Sequence, residues 1–125
     1  MEMAGGYSKW KESWEGDYQQ DGKYGNISHY FSFSIDVIEN DGKRIIRGEG
    51  KDGQKSFEIT GEYDTSNPTI EFLMTYLPLY KNKFVKFRGT FKSKTVLLGN
   101  WAGREWEEDK AANGTFDLHL KSSTK

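Results

Sequence analysis

The clearest feature of the sequence is an alternation of apolar and polar residues that persists along most of the chain. In residues 29–37, one phase carries a histidine followed by four apolar residues: His29, Phe31, Phe33, Ile35 and Val37. A period of two is typical of a half-buried β-strand, because successive side chains point to opposite faces. The pattern recurs in seven further segments, near residues 14–18, 46–51, 57–63, 70–76, 85–91, 97–101 and 116–120.

Turn-forming residues separate several of these segments. The sequence Asn40-Asp41-Gly42-Lys43 predicts a turn between the second and third strands. The dipeptide Asp52-Gly53 predicts a two-residue turn after the third strand. Such a turn places Gly48 opposite Phe57 on the inner face of the resulting hairpin.

Eight short strands at spacings near ten residues indicate an antiparallel meander. Closing the meander removes its two open edges, and glycines recur on the inner phase, where strongly coiled strands need small residues. We therefore predict an all-β fold, an eight-stranded antiparallel up-and-down β-barrel, with a β-sandwich as the alternative. Residues 1–125 are expected to form one domain, with residues 1–13 and 121–125 as loosely ordered ends.

The composition is typical of a small β-domain and reduces the number of functional classes to be considered. The chain has 125 residues with 15% aromatic side chains, 14 glycines and a mean hydropathy of -0.85. The absence of cysteine excludes disulfides, thiol nucleophiles and cysteine-bound zinc. There is neither an apolar run of membrane-spanning length nor a recognisable secretory leader, so no membrane contact and a cytoplasmic location are expected.

A local group of basic residues raises the question of nucleic-acid binding. It interleaves with phenylalanines and comprises Lys81, Lys83, Lys86, Arg88, Lys92 and Lys94. Stacking rings beside cations could follow a nucleic-acid strand. The net charge of -1 and the alternating phase instead favour a solvated outer face, and no nucleic-acid partner is expected.

No arrangement of residues in the sequence predicts catalysis. His29 and His119 lack metal-ligand spacing and fall on opposite expected faces, so no metal site is predicted. Five carboxylates within the predicted strands fall on the outer phase of the alternation, namely Asp36, Glu49, Glu58, Glu62 and Glu71. We therefore expect no catalytic residues, no cofactor and no enzyme activity.

Four aromatic and glycine motifs are similar to those of a known group of barrels. They are Trp14-x-Gly16-x-Tyr18, Gly48-x-Gly50-x-Asp52, Phe57-x-Ile59-x-Gly61 and Leu97-x-Gly99-x-Trp101. Over residues 14–120 the strand plan resembles the small-barrel calycins, meaning avidin, streptavidin, the lipocalins and their relatives. The resemblance implies an up-and-down barrel and a habit of binding small molecules in its mouth.

The family binding motifs are not matched. Glu12-Ser13-Trp14 lacks the Gly-x-Trp with which lipocalins open, and the last strand lacks the Arg-x-Tyr pair of fatty-acid-binding proteins. Ser32 and Ser34, which could stand for the hydroxyls around biotin in avidins, fall on the polar phase. The resemblance therefore implies a shape without a particular ligand.

Two functional hypotheses follow. In the first, the barrel mouth binds a small apolar ligand, with candidate contacts from Tyr18, His29, Tyr63, Tyr76 and Trp101. In the second, the barrel core is filled and the protein is a structural or interaction domain. Its partner would then dock on the outer surface or on an unusually apolar loop, through Tyr76, Leu77, Leu79 and Tyr80.

Overall fold

The computed structural model describes residues 7–20, 28–77, 84–104 and 111–125. It contains eight strands: β1 (Tyr7–Gln20), β2 (Ser28–Asn40), β3 (Lys43–Asp52), β4 (Lys55–Asp64), β5 (Thr69–Leu77), β6 (Phe84–Ser93), β7 (Val96–Arg104) and β8 (Ala111–Ser123). Each strand pairs antiparallel with the next, and β8 pairs with β1 to close the barrel. The predicted up-and-down barrel is confirmed and the sandwich alternative is excluded.

The predicted inward phase is also confirmed. The apolar residues on this phase that are buried include Phe31, Phe33, Ile35, Phe57, Ile59, Phe72, Met74, Val85, Phe87, Leu97, Trp101, Phe116 and Leu118. Phe72 and Phe87 stack almost parallel, with ring centroids 4.9 Å apart, and Phe116 meets Phe87 edge-on at 5.1 Å. These rings fill the middle of the barrel, so any ligand space lies towards its ends.

The β3–β4 hairpin differs from the predicted register by two residues. Asp52 pairs with Lys55, so the turn is Gly53-Gln54, and Gly48 faces Ile59 rather than Phe57. Gly53 has a φ of 62°, and Gln54 does not have a positive φ, which is the pattern of a type II′ turn. A shift of two residues keeps every side chain on its face, so the alternation could not reveal it.

Gly48 is required by the neighbouring strand. A Cβ atom at this position would collide with the backbone carbonyl of Ser34 and would lie 2.7 Å from the Cα of Ile35. The obstacle is therefore the β2 backbone and not an aromatic ring from across the barrel. Such a close approach is what strong coiling of adjacent strands produces.

The strands at the chain ends are longer than predicted. Residues 7–13 belong to β1 and pair with the end of β2, while residues 121–123 belong to β8. The backbone N–H of Thr124 also donates to the Lys11 carbonyl, at 2.9 Å. Residues 7–13 and 121–123 are therefore parts of strands, and Trp10, which extends the inward phase of Trp14, is itself buried. Residues 1–6 lie outside the described residues.

In the described part of the chain there is no helix with the length and apolar character that a membrane crossing requires.

Candidate functional site

The strand directions divide the predicted ligand contacts between the two ends of the barrel. Tyr18 lies near the end of β1 and Tyr76 near the end of β5, and these strands run in the same direction. Tyr63 lies near the end of β4, which runs the opposite way. Tyr18, His29, Tyr76 and Trp101 therefore share one end of the barrel, and Tyr63 lies at the other.

The first end is organised by Asp52 and is called the Asp52 end. The carboxylate oxygen Oδ2 of Asp52 accepts hydrogen bonds from the hydroxyls of Tyr18, at 2.8 Å, and Tyr76, at 2.5 Å. The ring of Tyr18 lies edge-on to Trp101 at 5.8 Å, and the indole Nε1 of Trp101 donates to the Gln19 carbonyl at 3.0 Å. One carboxylate thus ties β1, β3 and β5 together across the barrel.

The two tyrosines at this end remain neutral donors. Burial raises the pKa of Tyr18 well above its usual range, and the hydrogen bond to Asp52 and the charge of Asp52 raise it further. The pKa of Tyr76 is raised for the same reasons. A phenol with a raised pKa is a poor proton donor to a substrate near neutral pH, so this cluster fits a structural tie better than acid–base chemistry.

His29 lies at the rim of the Asp52 end. Its ring is exposed and stacks on Tyr18, with centroids 5.0 Å apart and an angle of 22° between the planes. His119 is exposed on the outer face of β8. Among the residues that the structure describes, no group of three or more potential ligands could hold a metal ion.

The opposite end holds an open cavity of about 440 Å³, which we call the Trp10 cup. Its lining comprises Trp10, Glu12, Trp14, Arg44, Tyr63, Thr65, Asn67, Pro68, Phe91, Ser93, Lys94, Leu120, Ser123 and Lys125. The cup forms because β1 and β2 have 14 and 13 residues whereas β5 and β7 have 9 each, so one wall is taller than the other. A second space of about 20 Å³ lies beneath the cup.

Glu12 is an inward carboxylate of the cup. It lies between Trp10 and Trp14 on the inner face of β1, since alternate residues of a strand share a face. Its oxygen Oε2 accepts a hydrogen bond from the Trp10 indole at 2.8 Å, and Oε1 accepts one from the Trp14 indole at 3.0 Å. The two indoles fix the carboxylate in place, and each of its oxygens retains lone-pair capacity for another donor.

Arg44 and Tyr63 form the facing side of the cup. The guanidinium Nη1 donates to the Tyr63 hydroxyl at 3.0 Å, and Nε donates to Glu39 at 2.5 Å. Burial lowers the pKa of Arg44, but the hydrogen bonds to Tyr63 and Glu39 and the charge interactions with these groups raise it, and the net shift is upward, so Arg44 remains a cation. Burial raises the pKa of Tyr63, so its phenol remains neutral.

Two cations lie against one indole at the mouth of the cup. The guanidinium carbon of Arg44 is 4.9 Å from the centre of the Trp10 ring, and the Nζ of Lys125 is 4.2 Å from it. Both distances fall within the range of cation–π attraction. The apolar walls are completed by Phe91, whose ring lies 5.4 Å from Tyr63 and 6.2 Å from Trp14.

Sequence reasoning identified only Tyr63 among the residues of this cup. Trp10 and Glu12 were assigned to a loose end, although the alternation Trp10, Glu12, Trp14 continues the inward phase. Asp52 was assigned to the turn, although it shares the phase of the inward glycines at 48 and 50. In both cases the inward position could have been predicted by extending the two-residue alternation by one or two further positions along the strand.

The apolar loop predicted as a partner surface is only partly described. Tyr76 is buried inside the barrel with 6% exposure, and Leu77 is half-buried. Leu79 and Tyr80 lie outside the described residues. A partner surface there stays a prediction, and Tyr76 is not accessible to such a partner.

Comparison with known proteins adds no family to this picture. No protein-family model and no curated protein matches the chain. The geometry of the barrel ends, and above all the Trp10 cup, therefore provides the evidence for function.

Proposed function

We propose that this protein is a non-enzymatic binding protein that holds a small, mostly apolar ligand in the Trp10 cup. The observation that carries the proposal is the cavity of about 440 Å³ walled by Trp10, Trp14, Tyr63 and Phe91. Ligand sites are typically apolar hollows of roughly 300–1,000 Å³ with a few fixed polar groups. The cup has this size, these walls and fixed polar groups in Glu12 and Arg44.

The proposal moves the ligand from the position expected from the sequence. At the Asp52 end, Tyr76 and Trp101 are buried and donate hydrogen bonds within the protein. At the Trp10 end, Tyr63 and Phe91 are only partly buried and face open space. Of the five candidate contacts, Tyr63 is therefore the one retained.

Binding of a small molecule at one end of the barrel agrees with the resemblance to avidins and lipocalins, which also bind small molecules at one end of an up-and-down barrel. The likeness is one of architecture, and Trp14 is the one residue of the cup lining that belongs to the matched motifs. The phenylalanines that fill the middle of the barrel restrict the ligand to the mouth. A compact molecule of up to three rings suits this space better than a long chain.

The non-enzymatic character of the proposed function is supported by the way in which two inward carboxylates are used. Glu12 accepts from two indoles and Asp52 accepts from two phenols. The two groups lie at opposite ends of the barrel, so they cannot act as an acid–base pair.

An interaction domain is the second candidate, and the outer face offers an observation in its favour. Phe84 is 56% exposed and Leu73 is 38% exposed on the adjacent strands β6 and β5. Thr75 faces Phe84 in the register, so the two apolar side chains are diagonal neighbours on one face. Two such residues form only a small apolar patch, which is weaker evidence for a docking surface than the Trp10 cup is for a ligand site.

The experiment that tests the proposal compares two adjacent serines of β8. Ser123 lines the cup, whereas Ser122 is exposed and pairs with Ser13 on the outer phase. Anilinonaphthalene, an apolar fluorophore, is titrated into the wild type, Ser123→Trp and Ser122→Trp. We expect the wild type and Ser122→Trp to bind alike, and Ser123→Trp to bind about tenfold more weakly because its ring fills the cup. Equal binding by both variants, or no binding by the wild type, would overturn the proposal.

A further inference from the structure

We infer that the ligand of the Trp10 cup is an amphipathic organic anion, bound with its acidic group at the mouth and its ring system inside. This inference rests on the proposed binding function and names the chemical class of the ligand. It is drawn from the positions of four charged groups in the cup lining, namely Glu12, Arg44, Lys94 and Lys125.

The charges of the lining favour an anion. Three of the four charged lining residues are cations and one is a carboxylate. Arg44 and Lys125 converge on the Trp10 ring, at 4.9 and 4.2 Å from its centre. Glu39 offsets part of the charge of Arg44 through its salt bridge, and the three cations of the lining set against Glu12 and Glu39 leave an excess of one positive side chain.

Arg44 is held ready to bind an acidic group. Its guanidinium has five N–H donors, of which Glu39 and Tyr63 engage the Nε and one Nη1 position. The side chain is 24% exposed and is held on two sides, so little conformational entropy would be lost on binding. The planar fork of an arginine matches a carboxylate, sulfonate or phosphate.

Glu12 sets the orientation of the ligand. Its carboxylate lies on the inner face between the two indoles. It therefore repels the acidic group of a ligand that enters the cup with this group pointing inwards. Its remaining lone pairs accept a hydrogen bond from an N–H on the ligand body. The acidic group is therefore directed outwards to Arg44 and Lys125, and an amine or ring N–H is directed inwards.

The test uses two probes that differ only in the acidic group. Anilinonaphthalene sulfonate and anilinonaphthalene share the same rings and the same N–H, and only the first carries a sulfonate. Calorimetric titration of the wild type should show about tenfold tighter binding of the sulfonate at low salt. Added salt should reduce this preference, because it screens the charges at the mouth.

Three variants locate the effect. Lys125→Gln, and Arg44→Gln combined with it, should weaken binding of the sulfonate more than binding of the neutral probe, so that the tenfold ratio between the two affinities falls towards one. Lys9→Gln is the matched control, since Lys9 is exposed beside Trp10 on the outer phase of β1. It should retain the preference.

The outcomes separate the two proposals. If both probes bind the wild type equally, the anionic class is wrong and the binding function stands. If the preference persists in Lys125→Gln and in the double variant, the cup cations are not its cause and the inference is also wrong. If neither probe binds, the proposed function itself fails.

Discussion

The indole Nε1 of Trp14 donates a hydrogen bond of 3.0 Å to the carboxylate oxygen Oε1 of Glu12, two residues earlier on the same face of β1. The Trp10 indole engages the other oxygen in the same way. Glu12 is thus the only acceptor that the described structure gives to either indole at this end of the barrel. Its loss would leave two partly buried donors unsatisfied.

We predict that Glu12→Leu lowers the free energy of unfolding by about 1–3 kcal/mol, the range expected when buried donors lose their acceptor. The measurement is urea denaturation followed by tryptophan fluorescence. The control is Glu58→Leu on the exposed outer face of β4, which should change stability by less than about 0.5 kcal/mol. Equal effects of the two substitutions would show that the indole hydrogen bonds do not stabilise the fold.

The Asp52 cluster gives a prediction for alkaline pH. The pKa values of Tyr18 and Tyr76 are raised in the folded state by burial and by Asp52. The neutral phenols therefore contribute stability that is complete below the ordinary pKa of 10.0 and decreases as the pH rises above it. Thermal unfolding between about pH 8 and pH 11 should show this decrease.

The double variant Tyr18→Phe with Tyr76→Phe serves as the control for that titration. It lacks both phenols, so its midpoint should fall less steeply above pH 10 than that of the wild type, although deprotonating lysines affect both proteins. Parallel curves for the two proteins would contradict the assignment of this pH dependence to the Asp52 cluster.

Strand assignment and inward phase were predictable because one alternation extends through the chain, as in Phe31, Phe33 and Ile35. The register at Gly48 was not, because a shift of two residues preserves the face and only the turn geometry decides it. The cup was missed for a related reason. Glu12 is charged, and a carboxylate on the inner phase becomes interpretable only when its indole partners are seen on both sides.

A meander already implies that Tyr63 and Tyr76 lie at opposite ends of the barrel, whereas the sequence-based hypothesis places both residues in one mouth. Successive strands run in opposite directions, so residues near the ends of β4 and β5 lie at opposite ends of the barrel. The cavity itself depends on how far β1 and β2 extend beyond the shorter strands. That is a property of strand lengths, which local patterns define least well.

A third prediction concerns Gly48. Gly48→Ala should destabilise the protein by at least about 2 kcal/mol, because its Cβ would meet the backbone of β2 and the strands would have to separate. Arg47→Ala is the control, since Arg47 is the exposed neighbour of Gly48 on the outer face of β3 and should change stability by less than about 0.5 kcal/mol. Denaturant midpoints provide the comparison. A tolerated alanine at position 48 would mean that β2 and β3 are less closely coiled than described.

The most direct test of the Trp10 cup is a proton–nitrogen NMR titration that follows the indole N–H signals with anilinonaphthalene sulfonate. Trp10 and Trp14 line the cup, while Trp101 lies towards the Asp52 end and donates to the Gln19 carbonyl. Assignment by single substitution of each tryptophan with phenylalanine identifies the signals. We predict that the Trp10 and Trp14 signals move in a saturable manner and that the Trp101 signal stays in place. Movement of Trp101 alone, or of no indole signal, would contradict a ligand site in the Trp10 cup.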